Sequence, residues 1–145
     1  MRLSAEEITG FLQQRNLHAI AATIASDGAP QLSPVWYVYE PPRMVISIPA
    51  GSAKHRNLKR DPRIGVCVDG GRADVRAVML YGRAELIESD SETNAARLTE
   101  YRWRIIRAYY DTEEEARRYY ASVEDVPHVL VLLVPERVVS QDFRD

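Results

Sequence analysis

Between Ser33 and Asp69 the chain reads SPVWYVYEPPRMVISIPAGSAKHRNLKRDPRIGVCVD, and no other stretch constrains the fold as tightly. Two apolar runs rich in β-branched and aromatic residues, Gln31 to Tyr39 and Met44 to Pro49, flank Glu40-Pro41-Pro42-Arg43, a turn that no helix crosses. Ala50-Gly51-Ser52 then opens a short basic helix over about residues 52–60, Asp61-Pro62 stops it, and Arg63 to Asp69 returns as a strand. Strands joined by so little chain read as an antiparallel succession carrying a helical insert.

The flanking sequence extends this pattern. Ser4 and Glu7 form a capping box with Leu3 and Ile8 as its hydrophobic staple, predicting a helix over about residues 4–14 that buries Ile8, Phe11 and Leu12. His18 to Ser26 and Gln31 to Tyr39, joined at Asp27-Gly28, predict a hairpin in which Pro34 demands an edge position or a bulge. Arg76 to Glu88 predicts a long strand with a bulge at Gly82. Ala95, Leu98, Tyr101, Ile105 and Tyr109 recur at helical spacing, and Thr112 with Glu115 caps a further helix to about Ser122. His128 to Val134, HVLVLLV, reads as an apolar strand buried on both faces, with pairing resumed at Val138-Val139. The expectation is an α+β, mainly β chain: a single domain over residues 1–145 built on a barrel of about six or seven antiparallel strands, with flanking helices gathered late.

Composition excludes several functions. With 145 residues, 46% of them hydrophobic, the chain is long enough for one substantial core. Nineteen basic against 21 acidic residues give a net charge of −2, so neither nucleic acid nor a membrane surface is expected as a partner, and the basic run from Lys54 to Arg63 is a local feature. The single cysteine, Cys67, lies between Val66 and Val68 and is expected to be a buried core thiol in a reducing compartment. With no secretory signal or long apolar span visible, the expected location is the cytoplasm. His18, His55 and His128 lack metal-ligand spacing, and the chain has no nucleophile elbow, dinucleotide fingerprint or Walker loop.

One cluster does point to chemistry. A helix opening after Ala50-Gly51-Ser52 presents unpaired backbone N–H groups, and Lys54, Arg56, Asn57 and Arg60 add charge and donors beside them, which suits a phosphate. Lys54 and Asn57 share one helix face, Arg56 and Arg60 another. The bland alternative is a solvated basic helix, with Trp36 as an ordinary core or interface residue. The pairs Tyr109-Tyr110 and Tyr119-Tyr120, with Arg102, Arg104, Arg107, Arg117 and Arg118 around them, read as a helical layer on the barrel with a charged outer face, the alternative being a substrate lid.

The DG turn, SPVWYVY, AKHRNLKRDPRIGVCVD and the later YGRAELIE, in that order, resemble the pyridoxamine-phosphate-oxidase-like flavin and deazaflavin oxidoreductases, and in particular the branch that uses the deazaflavin coenzyme F-420. The likeness runs over about residues 5–90 and extends loosely to the C-terminal strand, most specifically in K-x-x-N-L-x-x-D-P-R. It implies a split β-barrel, a homodimer and one cofactor in each of two interface grooves, and the excess of apolar strand, notably HVLVLLV, is expected to be buried in that dimer interface. It also implies that Pro34, Val35 and Trp36, beside Ser33, line the ring, that Ser47 and Ile48 form the neighbouring strand, and that Ser52, Lys54, His55 and Asn57 hold the phosphate end, with Arg56 and Arg60 available to an anionic tail. The chain ends VVSQDFRD without the Arg-x-His element of the vitamin B6 phosphate oxidases, so their activity is not expected.

The expected function is therefore hydride transfer from reduced F-420 to an unsaturated small molecule, a reaction in which the protein supplies position and water exclusion and needs no nucleophile. Tyr81, Tyr37 or solvent would donate any proton. FMN on the same barrel, or a noncatalytic binder of cofactor, haem or another planar ligand, are the alternatives.

Overall fold

The computed structural model describes residues 2–15 and 17–144. In chain order the described elements are α1 (Ala5–Leu12), β1 (His18–Ile24), β2 (Pro30–Val35), β3 (Tyr37–Glu40), β4 (Arg43–Pro49), α2 (Ala53–Arg60), β5 (Arg63–Asp69), β6 (Arg76–Ile87), α3 (Glu92–Ala108), α4 (Glu113–Val123), β7 (His128–Leu133) and β8 (Arg137–Asp142). Each strand pairing is antiparallel, in the order β2-β1-β5-β6-β7-β4-β3 with β8 on β6. The result is a split β-barrel of eight strands, slightly more than expected.

The extra strand comes from Trp36. The expected single strand from Gln31 to Tyr39 breaks there, so that β2 pairs with β1 while β3 pairs with β4. Trp36 thus stands where the chain passes from one sheet to the other. Pro34, on β2, is tolerated because β2 is an edge strand with β1 as its neighbour.

Strand β6 is the other junction. Its first part pairs with β5 and β8, its last four residues, Ala84 to Ile87, with β7. The expected bulge at Gly82 is absent, since Ile64–Gly82 and Arg63–Arg83 continue the register with β5. Gly82 answers a different need: a Cβ there would lie 3.0 Å from Leu133 Cδ1 and 3.1 Å from the Val134 carbonyl, where the strand slides past the end of β7.

Helix α1 opens as expected, with Ser4 Oγ accepting from Glu7 N and Glu7 Oε1 accepting from Ser4 N. It delivers Phe11 and Leu12, each 1% exposed, to the barrel core. Strand β7 is buried on both faces: Val129, Val131 and Leu133 point into the barrel, Leu130 and Leu132 meet Leu98 and Ile105 of α3. Each such side chain contributes about 1.5–3 kcal/mol on burial, so β7 is satisfied within the chain itself.

Cys67 is not in the core. Ile64, Val66 and Val68 of β5 face inward, and the alternation sends Gly65 and Cys67 to the outer face of the sheet, where Cys67 is half-buried. Ile20, Leu32 and Tyr81 share that outer face and are 37%, 66% and 44% exposed. Among the described residues no helix is long and apolar enough to cross a membrane.

Candidate functional site

Helix α2 begins because Gly51 takes a left-handed turn, φ +77°, and Ser52 caps the first turn by accepting from His55 N. Lys54 falls in that first turn and makes no ion pair or hydrogen bond among the described residues, whereas its basic neighbours on α2 are all engaged. It faces a cavity of about 260 Å³. Pro34, Val35, Trp36, Ser47, Ile48 and Pro49 form the strand wall beside it. Thus the structure gathers Pro34, Val35, Trp36, Ser47, Ile48 and Lys54 at one cavity, although they come from β2, the crossing at Trp36, β4 and α2.

The other candidate residues build the turn and fasten the helix. His55 is buried, and its Nδ1 accepts from Gly51 N at 2.9 Å. Its Nε2 therefore carries the proton and donates to Glu88 Oε1 at 2.6 Å, holding the Glu88 carboxyl below its usual range together with Lys59. Asn57 is buried too, donating to Thr23 Oγ1 and Gln31 Oε1 while its own oxygen accepts from Arg60 at 3.0 Å. Arg60 also donates to the Ile24 carbonyl, and Arg56 to that of Gly51. Ser52 is the cap just described. Ser33 lies opposite Ala21 on β1, its buried Oγ without a partner.

The far wall of the cavity is helical: Arg102, Ile105 and Ile106 of α3, Tyr119 and Val123 of α4, and His128 at the start of β7. None of these is among the expected site residues, although Arg102 and Tyr119 belong to the cluster whose alternative reading is a substrate lid. A signal was present, because Leu98, Arg102 and Ile105 share one buried stripe, so that a cation interrupts an apolar face. Trp36 ties the two walls together. Its ring stacks on Tyr109 with centroids 4.6 Å apart and meets Tyr119 at 5.5 Å. The late helices therefore both pack on the barrel and close over the cavity, while their outer faces carry the Arg117–Glu113 and Arg118–Glu114 pairs.

Among the described residues, two cations and no carboxylate line this space. Ser47 and Arg102 are both lining residues, and the Ser47 hydroxyl and Arg102 Nε, themselves buried, lack hydrogen-bond partners among the described residues. His128 donates from Nδ1 to the Val126 carbonyl, leaving Nε2 unprotonated, and burial, with the Arg102 charge, pushes its pKa down. These features fit an anionic ligand with a flat, largely apolar body. Tyr37 and Tyr81, expected as proton donors, do not line the cavity: Tyr37 donates to the Leu12 carbonyl in the core, and Tyr81 stands on the outer sheet face.

Residues 4–142 match the family described as Pyridoxamine 5'-phosphate oxidase. Among solved structures, the conserved hypothetical protein Rv2991 from Mycobacterium tuberculosis is similar, at 28% identity over 98% of this chain and 86% of its own, with a TM-score of 0.74. A FAD-binding protein from Mesorhizobium loti is 22% identical over 97% of this chain and 95% of its own, with a TM-score of 0.69. An F420 reductase, 18% identical, covers 89% of this chain and 94% of its own at a TM-score of 0.60. At such identities these last two share the fold.

Proposed function

Since the chain belongs to the pyridoxamine 5'-phosphate oxidase family, we propose that it is an oxidoreductase which binds coenzyme F-420 and reduces an unsaturated small molecule. The observation that carries this reading is the cavity with Lys54 unpaired at the α2 turn, Trp36 and Ile48 on the strand wall, and no carboxylate among its lining residues. Lys54 would hold the phosphate, Trp36 and Ile48 would flank the ring, and the unpartnered Ser47 hydroxyl would bond a ring edge. When bound and reduced, the deazaflavin supplies the hydride. The chain's part is to fix the ring, keep water out with the wall formed by Ile105, Ile106 and Tyr119, and leave one ring face open to the acceptor.

Arg56, Lys59 and Arg60 are exposed on α2 and offer positive charge to the acidic tail of F-420. Each already has a partner within the chain, and this favours FMN as the second reading. The shared groove of the proposal also calls for a second copy of the chain. The outer sheet face bearing Ile20, Leu32 and Tyr81 is where we place it, since β7 is already covered.

Turnover is the test. Reduced F-420 mixed with the protein and α,β-unsaturated ketones or imines should regain the oxidised chromophore's absorbance. Reoxidation with reduced FMN alone would transfer the activity to the second reading, and turnover with neither would make the protein a binder.

A further inference from the structure

We propose that Arg102 is an oxyanion-binding residue of the cavity, so that the ligand there places a carboxylate or phosphate against the helical wall in addition to any group held by Lys54. This deepens the reading of the cavity as a ligand site and is independent of the choice between F-420 and FMN.

Arg102 is 7% exposed, and among the described residues no carboxylate forms an ion pair with it. A guanidinium is seldom so buried without an acid beside it. Its Nη atoms donate to the carbonyls of Val123, Glu124 and Val126, binding the end of α4 and the segment after it. Those three bonds occupy three of the five N–H groups of a guanidinium. Nε is buried and has no acceptor. Fastening α4 uses three of the four Nη hydrogens, and the Tyr120 ring flanks the guanidinium with its centroid 5.7 Å from Cζ; one Nη hydrogen and the buried Nε are left over, on a residue that lines the cavity. The same cavity is lined by Lys54, the neutral His128 and Ser47, whose buried hydroxyl has no partner, and no acidic side chain is among its described lining residues. An oxyanion would satisfy the orphaned donor and the charge together.

Two pairs of probes separate the possible sources. FMN and riboflavin differ by the phosphate; 2-naphthoate and 2-naphthamide differ by the carboxylate. Titrations of the first pair use cofactor-free protein, and those of the second use protein saturated with F-420, following tryptophan fluorescence from the Trp36 wall. The wild type should prefer the charged member of at least one pair by about tenfold or more. Arg102→Gln should abolish that preference and Arg102→Lys retain part of it. Loss in the FMN pair assigns the site to the cofactor's phosphate, and loss in the naphthoate pair assigns it to a substrate carboxylate. Unchanged preferences in Arg102→Gln, or none in the wild type, overturn the proposal. Lys54→Ala keeps the tests apart: a Lys54 effect without an Arg102 effect defeats this inference alone. Should Arg102→Gln fail to fold, the side-chain Nε–H resonance of wild-type Arg102 decides. It must shift with a charged probe and not with its neutral partner, and a resonance that neither charged probe moves refutes the assignment.

Discussion

Lys54→Ala probes the phosphate end of the cavity without touching the scaffold. Lys54 bonds to no other described residue, so its removal breaks no internal pair, and the melting temperature should hold. What is lost is a charge-assisted contact to the ligand, worth about 1.5–3 kcal/mol, or roughly one to two decades in dissociation constant. Lys54 is only half-buried, and solvent screening places the expectation at the lower end of that range. Calorimetric titration with FMN and with riboflavin isolates the effect, because only FMN carries the phosphate. The variant should lose FMN affinity and keep riboflavin affinity. Arg60→Ala is the counterpart: its guanidinium bonds the Ile24 carbonyl at 2.8 Å and Asn57 Oδ1 at 3.0 Å, so it should lower stability and leave FMN binding nearly intact. Equal FMN affinity in wild type and Lys54→Ala, or equal losses for FMN and riboflavin, would refute the reasoning.

Other outcomes follow from the same contacts. Asn57→Ala strips the bonds to Thr23 and Gln31 and leaves a buried hydroxyl and Arg60 short of partners, so urea denaturation should show a loss of about 1–3 kcal/mol. The Arg76 side chain holds the Asp74 carboxyl down at about 2, below the 3.8 of a free group. Its folded pKa is depressed, so its contribution is present above about pH 4 and is lost as pH falls towards 2. Asp74→Asn should therefore flatten the stability curve in that window. Tyr81→Glu, on the outer sheet face, should turn the proposed dimer into a monomer in sedimentation, and a wild type that is already monomeric at micromolar concentration would contradict the placement.

Local signals made much of the fold legible. The Ser4–Glu7 box, the Ser52 cap and the strand from Arg63 to Asp69 were readable because each depends on residues a few positions apart. The break at Trp36 was not, since a β-rich run looks alike whether it keeps one partner or changes sheets. Cys67 misled for a related reason: an apolar run hides the two-residue alternation that sends it outward. At the site, the strand wall and Lys54 were visible as motif. The partners that engage His55 and Asn57 were not, because Glu88 lies 33 residues away and Thr23 lies 34 away, brought close only by folding. For Arg102 and Tyr119 the sequence leaves a packed layer and a lid as alternatives: their spacing shows that they are helical, and only packing shows which cavity the helices close.

The most direct measurement is equilibrium binding of F-420 and FMN to the purified, cofactor-free protein across a salt series. The account predicts that both bind, that F-420 binds tighter at low ionic strength, and that its advantage shrinks as salt screens the tail from exposed Arg56, Lys59 and Arg60. FMN binding markedly tighter at low salt would replace the deazaflavin reading, and failure of both to bind would contradict the assignment of the cavity itself.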